Sequence, residues 1–209
     1  MPPARADHWN AVHDSRGEEE LTWFEADPDL SADLVARHAA PGDAIIDVGG
    51  GATRLVDALL ARGLGPVTVL DISESALRTS RERLGARAAD VTWIVADVTR
   101  AAPPGRFVVW HDRAVFHFLT EEPDRAAYVR ALAGGLAPGG WAIVATFAED
   151  GPEMCSGLPV RRYAPDDLTG EFERHAPGLL EPVASRRHVH VTPKGAEQRF
   201  QYSVFRRIG

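Results

Sequence analysis

The sequence predicts an α/β fold in which a mostly parallel sheet of seven strands carries helices on both faces. Short apolar runs alternate with segments of helical periodicity between residues 44 and 147, which is typical of βαβ units. A glycine-rich turn at 49–51 follows the first run directly. After Phe147 the pattern changes to two longer strand-like runs around a Pro-Lys-Gly turn, which predicts a terminal antiparallel hairpin.

The helices between the predicted parallel strands have recognisable ends. The first helix pattern ends at Gly63, and the second begins after Ser73, a suitable N-cap, and ends at Gly85. A third helix buries residues from Tyr128 onwards, and we expect the Pro-Gly-Gly sequence at 138–140 to break it. The five parallel runs are 44–48, 67–70, 92–96, 107–110 and 141–147.

The end of the chain has a different organisation. A loop at 148–164 leads to a short helix that carries Leu168 and Phe172. The hairpin strands are expected at about 180–192 and 199–205.

Composition excludes several classes of protein. The 209 residues carry a formal charge of −7 without a basic patch, which disfavours a nucleic-acid partner. The single cysteine, Cys155, excludes an intrachain disulfide and a cysteine-rich metal site. The absence of a secretory or membrane-spanning apolar run predicts no membrane partner and a cytoplasmic location. We expect one domain over 1–209, present as a monomer or homodimer.

Three carboxylates follow successive predicted strands: Asp47, Asp71 and Asp97. The carboxyl edge of an open α/β sheet is where ligands bind, and a glycine turn lets a ligand approach the backbone. Asp47 beside that turn would repel a pyrophosphate but suits the ammonium group of an amino acid, and Thr53 stands where a dinucleotide site has its third glycine. The pattern therefore favours S-adenosylmethionine over NAD.

These motifs resemble those of the class I S-adenosylmethionine-dependent methyltransferases, which have a Rossmann-like seven-stranded fold. The resemblance lies in 45–51, 70–73, 96–98 and 136–140, whereas Phe107-Val108 departs from the frequent Phe-Asp. It implies that Asp71 holds the ribose and that Asp97 and Val98 contact the adenine. The expected cofactor-binding residues are Trp23, Asp47, Gly49, Gly50, Gly51, Asp71, Ile72, Asp97, Val98 and His111.

Charged and imidazole groups crowd the segment 110–119 at the end of the fourth strand. With 8–10 and 21–24, this segment resembles the thiopurine S-methyltransferase branch, which implies an amino-terminal lid within residues 1–30. Asp112, Arg113 and His117 are the candidate catalytic residues. The alternatives are that Asp112 and Arg113 form an ion pair that orients the loop, and that the histidines are simply packed.

Other candidate groups favour simpler interpretations. Cys155 is expected to line the acceptor pocket without acting as a nucleophile. His188 and His190 share one face of a strand, where a sheet-surface role is favoured over metal binding, and no metal is expected. Arg113 or Arg161 could hold an anionic acceptor.

The leading hypothesis is methyl transfer to a small-molecule acceptor, such as a thiol or another soft nucleophile, with S-adenosylhomocysteine as product. The cofactor-binding core would be 44–147, with a substrate loop and hairpin at 148–209. One alternative is a protein lysine methyltransferase. The other is a non-catalytic protein that binds S-adenosylmethionine.

Overall fold

A computed structural model describes residues 5–209. Its strands confirm the predicted fold class, because five parallel strands are followed by an antiparallel pair. The strands are β1 Ile45–Val48, β2 Val67–Asp71, β3 Val91–Val95, β4 Phe107–Arg113, β5 Leu136–Phe147, β6 Met154–Cys155, β7 Leu158–Pro159, β8 Leu180–Val191 and β9 Glu197–Arg207. The main sheet has the order β3-β2-β1-β4-β5-β9-β8, while β6 and β7 form a separate small hairpin.

Six α-helices accompany these strands within the described residues: α1 Arg5–Ser15, α2 Asp29–Ala36, α3 Leu55–Ala61, α4 Glu74–Leu84, α5 Glu122–Gly135 and α6 Pro165–His175. Ser73 caps α4 as predicted, since its hydroxyl accepts from the backbone N–H of Ala76 at 3.1 Å. The helix α1 was not predicted from the sequence. It has no buried residue, and so its sequence lacks the apolar stripe of a core helix.

Side chains alternate across the sheet and divide the core into two layers. Ile45 and Val109 pack on one face, whereas Ile46 and Trp110 pack on the other. The register pairs Asp47 of β1 with His111 of β4. Because successive side chains of a strand point to opposite faces of the sheet, Arg113 shares the face of Asp47, and Asp112 faces the opposite layer.

The transition from α5 to β5 differs from the prediction. The helix ends at Gly135 and the strand begins at Leu136, so the Pro-Gly-Gly sequence at 138–140 lies inside the strand. A Cβ at Gly135 would lie 2.9 Å from Cζ3 of Trp110, which shows how closely the backbone approaches the indole. The pairing of β4 with β5 also shifts between Phe107 and Val109.

A buried ion pair joins α5 to α6. Nε of Arg125 donates to Oε1 of Glu171 at 2.6 Å, and both side chains are almost fully buried. The same guanidinium donates to the carbonyl oxygens of Leu119 and Thr120. It therefore joins both helices to the turn that precedes α5.

We expect the substitution Arg125→Met to lower the free energy of unfolding by about 1.5–3 kcal/mol, because it removes one charged hydrogen-bond partner from the buried Glu171 carboxylate, which keeps Arg161 and His175. The measurement is urea denaturation followed by circular dichroism. Arg130→Met is the control, since Arg130 is exposed on the same helix. Equal stability of the two variants would show that the buried pair contributes nothing.

Candidate active site

A cavity of about 160 Å³ lies at the carboxyl edge of the parallel strands. It begins at Asp97, beyond β3, passes Asp71 and Gly49 at the ends of β2 and β1, and reaches Arg113 of β4 and Phe200 of β9. Its lining therefore follows the order of the strands in the sheet. We call the part beside β3, β2 and β1 the donor half, and the part beside β4, β5 and β9 the acceptor half.

Two carboxylates stand in the donor half. Oδ1 of Asp71 accepts from the backbone N–H of Ser73 at 2.7 Å. Burial, with the nearby charge of Asp47, raises the pKa of Asp71 to about 6. Oδ1 of Asp97 accepts from the backbone N–H and the hydroxyl of Thr99 at 2.9 and 2.6 Å. Both side chains are thus held in place at the cavity wall.

Neighbouring side chains approach the backbone of the glycine turn closely. Gly49 has φ +69°, and a Cβ there would lie 2.0 Å from Cγ2 of Val115. A Cβ at Gly50 would lie 2.4 Å from Oδ2 of Asp47. Gly49 lines the cavity, whereas Gly50 lies behind it against Asp47. No side chain fits at either position, and the backbone itself forms the floor of the donor half.

Asp47 is buried and lines a smaller pocket beside the cavity, which shares Gly49 and Trp23 with it. Nδ1 of His111 donates to Oδ1 of Asp47 at 2.7 Å, while Nε2 of His111 lies 3.0 Å from Oγ of Ser31. Oδ2 of Asp47 is buried and has no hydrogen-bond partner among the described residues. An unpartnered buried carboxylate oxygen favours a cationic donor such as an ammonium group.

Arg113 is the cation of the acceptor half. Its Nε donates to the Tyr202 hydroxyl at 3.2 Å, its Nη1 to the Trp23 carbonyl at 3.1 Å and its Nη2 to Glu25 at 2.9 Å. The guanidinium lies over the ring of Phe200, 4.8 Å from the ring centre. These contacts fix the guanidinium at the boundary between the donor and acceptor halves.

Glu25 balances this cation. Burial opposes its ionisation, but hydrogen bonds from His188 and His190 and the charge of Arg113 hold the pKa of Glu25 well below its usual range. The two histidines of β8 therefore contact a carboxylate, and His190 is buried rather than on the sheet surface.

The structure places Asp112 away from the cavity. Its oxygens accept from the backbone N–H groups of Val115 and Phe116 at 2.8 and 3.1 Å, and from the Tyr128 hydroxyl at 2.6 Å. Burial raises the pKa of Asp112 to about 6. This arrangement does not support the catalytic role expected for Asp112, because its carboxylate faces the opposite layer and fixes the turn after β4.

His117 is also unsuited to act as a general base. Its Nδ1 accepts from the backbone N–H of Phe147 at 3.2 Å, so the neutral ring carries its proton on Nε2. Burial lowers the pKa of His117 to about 3. The ring packs between Phe118 and Phe147, which do line the cavity. Its role is therefore to support the aromatic wall.

Several lining residues agree with the sequence, and others were missed. Cys155 lines the cavity as expected, and burial raises the pKa of its thiol to about 11. Arg161 pairs with Glu171 instead of lining the cavity. The predicted residues on the cavity wall are Trp23, Gly49, Gly51, Asp71, Ile72, Asp97, Val98 and Arg113. The residues missed include Arg5, His13, Phe147, Gln198 and Phe200.

The expected lid can be followed from residue 5, because 1–4 lie outside the described residues. Trp9 of α1 and Trp23 both line the cavity, with ring centres 5.8 Å apart. Oδ1 of Asn10 accepts from the Ser73 hydroxyl at 2.9 Å and from the Ser75 backbone N–H at 3.2 Å, which ties α1 to the start of α4.

None of the helices within residues 5–209 has the length and apolar character needed to cross a bilayer. In the same range, no group of three or more His, Cys, Asp or Glu side chains is arranged to hold a metal ion.

Comparison with known proteins connects this site to a class. Residues 45–140 match the family model described as a methyltransferase domain. The chain is 34% identical over 108 residues to the ubiquinone biosynthesis O-methyltransferase of Thiobacillus denitrificans. This alignment covers 51% of this chain and 45% of that protein. It is 28% identical over 149 residues to the eEF1A lysine and N-terminal methyltransferase of Danio rerio, which covers 69% of this chain and 21% of that protein. The chain thus matches less than half the length of either relative.

A solved structure extends the likeness to the whole chain. The Burkholderia thailandensis 1,6-didemethyltoxoflavin-N1-methyltransferase, with bound 1,6-didemethyltoxoflavin and S-adenosylhomocysteine, has a TM-score of 0.71 at 21% identity. The match covers 100% of this chain and 93% of that one. The fold is therefore that of the class I methyltransferases. The matched family model, the fold and the carboxylates of the donor half together support an S-adenosylmethionine-dependent methyltransferase, and the family match itself is limited to residues 45–140.

The residues present fit that cofactor. The unpartnered oxygen of Asp47 suits its ammonium group, and the Asp71 carboxylate on the cavity wall suits its ribose hydroxyls. Asp97 and Val98 stand together where the adenine would lie. The glycine floor leaves space that any Cβ would fill.

We expect Gly49→Ala to abolish binding of S-adenosylhomocysteine, because the new Cβ would displace Val115 or the floor of the donor half. The matched control is Gly63→Ala, since Gly63 has the same φ of +69° with no atom within 4 Å of its added Cβ. Both variants carry the backbone cost of a left-handed alanine, about 1–2 kcal/mol. Calorimetric titration should find unchanged affinity in the control, and equal affinity in both variants would contradict the close-approach argument.

We expect affinity for S-adenosylhomocysteine to fall in acid. A protonated Asp71 loses one acceptor for the ribose hydroxyls, and because its pKa is raised to about 6, the loss begins near pH 6 instead of near pH 4. Affinity should then fall by up to about tenfold for each pH unit below that value. Titrations from about pH 8 down to about pH 5 measure this, and Asp71→Asn should bind weakly with a flat profile. A constant wild-type affinity over that range would refute it.

Proposed function

We propose that this protein transfers a methyl group from S-adenosylmethionine to a small-molecule acceptor that reacts through a thiol or another soft nucleophile. The main support for this proposal is the chemical character of the acceptor half. It presents Arg113 among aromatic and aliphatic side chains, and the carboxylates that line the described cavity, Asp71 and Asp97, both stand in the donor half. A cationic acceptor such as a lysyl ammonium would therefore find no carboxylate on that wall, whereas the N–H groups of Arg113 that Tyr202, Trp23 and Glu25 leave unused can donate to an anionic acceptor.

The titratable groups on the cavity wall support the same proposal. Burial lowers the pKa of His13 to about 4 and raises that of Cys155 to about 11, so near neutral pH the first is a weak base and the second is a protonated thiol. Neither is suited to deprotonate an amine or an alcohol. An acceptor that ionises readily needs no such base, and a thiol is of this kind.

The reaction then depends on alignment. When bound, the cofactor supplies an already activated methyl group. The glycine floor and Asp71 would hold the donor in the donor half, with Asp47 beside it in the adjoining pocket, while Arg113 can hold the acceptor's anionic atom where the two halves meet. Trp9 and Trp23 line the cavity and would help to exclude water once donor and acceptor are bound. Positioning of this kind lowers a barrier by about 7–11 kcal/mol in the best-aligned cases.

A protein lysine methyltransferase is the second candidate, favoured by the 28% identity with the eEF1A lysine and N-terminal methyltransferase. A non-catalytic role in S-adenosylmethionine binding is the third. The thiopurine S-methyltransferase branch, the single-domain boundaries, the lack of nucleic-acid partners, the oligomeric state and the cytoplasmic location stay predictions.

We expect release of S-adenosylhomocysteine with aromatic thiols and no release with a lysine peptide. The measurement incubates the protein and S-adenosylmethionine with thiophenol, phenol, aniline and a lysine-containing peptide, and quantifies the product. Gly49→Ala is the control for turnover that depends on the donor site. Turnover of the peptide alone would establish the second candidate, and donor binding without turnover of any acceptor would establish the third.

A further inference from the structure

The smaller pocket beside the donor half, which we call the side pocket, is lined by two residues that each have a buried polar atom without a partner. One atom is Oδ2 of Asp47, a hydrogen-bond acceptor, and the other is Nε of Arg54, a donor. Neither finds a hydrogen-bond partner within residues 5–209. Native proteins satisfy nearly all such groups, because a buried polar atom without a partner lowers stability. A ligand that enters the side pocket can satisfy both atoms.

The size of the side pocket limits what can enter it. Its volume is about 20 Å³, whereas the main cavity has about 160 Å³. A water-sized group needs about 10–15 Å³, and so the side pocket takes one or two small polar groups and no ring. The two spaces share Gly49, Ala52 and Thr53 in their walls. A ligand in the donor half can therefore extend one end into the side pocket.

The far end of the Arg54 side chain is already held by other contacts. Its Nη2 donates to Oε1 of Glu18 at 2.6 Å, and its guanidinium lies over the ring of Phe24, 5.1 Å from the ring centre. Both Glu18 and Phe24 line the side pocket as well. These contacts fix the guanidinium in the wall of the side pocket and leave Nε without an acceptor.

Arg113 is the second arginine of the side pocket, but its position differs. Each of its nitrogen atoms already donates to a partner, namely Tyr202, Trp23 or Glu25. The two glutamates of the wall, Glu18 and Glu25, are each paired with an arginine. The donor atom that still needs a partner is therefore Nε of Arg54.

We propose that Arg54 binds the carboxylate of the methionine end of S-adenosylmethionine, and that the side pocket receives this end. The carboxylate accepts from Nε of Arg54, while the ammonium group donates to Oδ2 of Asp47. Both charged groups of an α-amino acid are attached to one carbon atom, which suits so small a pocket. A ligand with only one of the two groups would leave a buried atom unsatisfied. The assignment concerns the donor and does not depend on which acceptor is methylated.

The test compares three ligands by calorimetric titration. S-adenosylhomocysteine has both charged groups, its decarboxylated analogue keeps only the ammonium group, and methylthioadenosine has neither. We expect Arg54→Met to weaken binding of S-adenosylhomocysteine by at least about tenfold, because a hydrogen bond to a charged group is lost. The affinities for the other two ligands should change by less than about twofold.

A second variant, Arg54→Gln, separates this role from the ion pair with Glu18. Both variants lose the guanidinium, but the amide nitrogen of Gln follows the same number of side-chain carbons as Nε and can replace it as a donor. We therefore expect Arg54→Gln to bind S-adenosylhomocysteine more tightly than Arg54→Met does. Arg62→Met is the control, since Arg62 stands at the opposite end of α3, pairs with Asp33 and has a side chain 33% exposed against 30% for Arg54.

Several results would overturn the proposal. Equal weakening of all three ligands by Arg54→Met would show that Arg54 only supports the structure of the site. Unchanged affinities would show that solvent alone fills the side pocket, and equal losses in Arg54→Met and Arg54→Gln would assign the carboxylate to another donor. If the wild-type protein does not bind S-adenosylhomocysteine, the proposal fails with the donor itself. If the expected pattern is found but no acceptor is methylated, the role of Arg54 stands and the proposed reaction fails.

Discussion

The glycine turn at 49–51 is the constraint on which the rest of the site depends. The backbone N–H of Gly49 donates to the carbonyl of Leu70 at 2.7 Å, which ties the end of β1 to β2. A Cβ at any of the three positions would meet Val115, Asp47 or Asp71 at less than 3 Å. The turn thus lets groups from β1, β2 and the loop after β4 converge on one small volume without side chains between them. The donor half exists because that volume is left empty.

This convergence also connects the two halves of the cavity. From Asp47 a line of polar contacts runs through His111 and Ser31, whose Oγ lies 3.5 Å from the hydroxyl of Tyr202. The same hydroxyl accepts from Arg113, the cation of the acceptor half. These side chains are buried or nearly so, and a change in the position of one therefore alters the hydrogen bonds of its neighbours. The Asp47 carboxylate beside the donor half and the Arg113 guanidinium of the acceptor half are therefore joined by one chain of polar contacts.

The sequence predicted the donor half well because strand ends are local features. Asp71 and Asp97 could be placed on one edge from apolar runs alone, without knowledge of tertiary contacts. The acceptor half depends on contacts distant in sequence. Trp9 lines the cavity only because α1 packs beside α4, and Gln198 does so only because β9 lies next to β5. The spacing of Gln198 and Phe200 predicts that both side chains lie on one face of β9, but the sequence does not show that this face borders a cavity.

The segment 110–119 shows why crowding of charged residues is weaker evidence than the face on which each residue lies. Neighbouring residues of β4 point to opposite layers, so Arg113 reaches the cavity and Asp112 cannot. Asp112 instead has a structural role, since its carboxylate holds the turn that places Val115 against Gly49. The pairing register with β1 decides which face of the sheet each residue of β4 occupies, and that register is set only in the assembled sheet. A carboxylate that does not reach the cavity thereby fixes part of the cavity wall, because Val115 lines it.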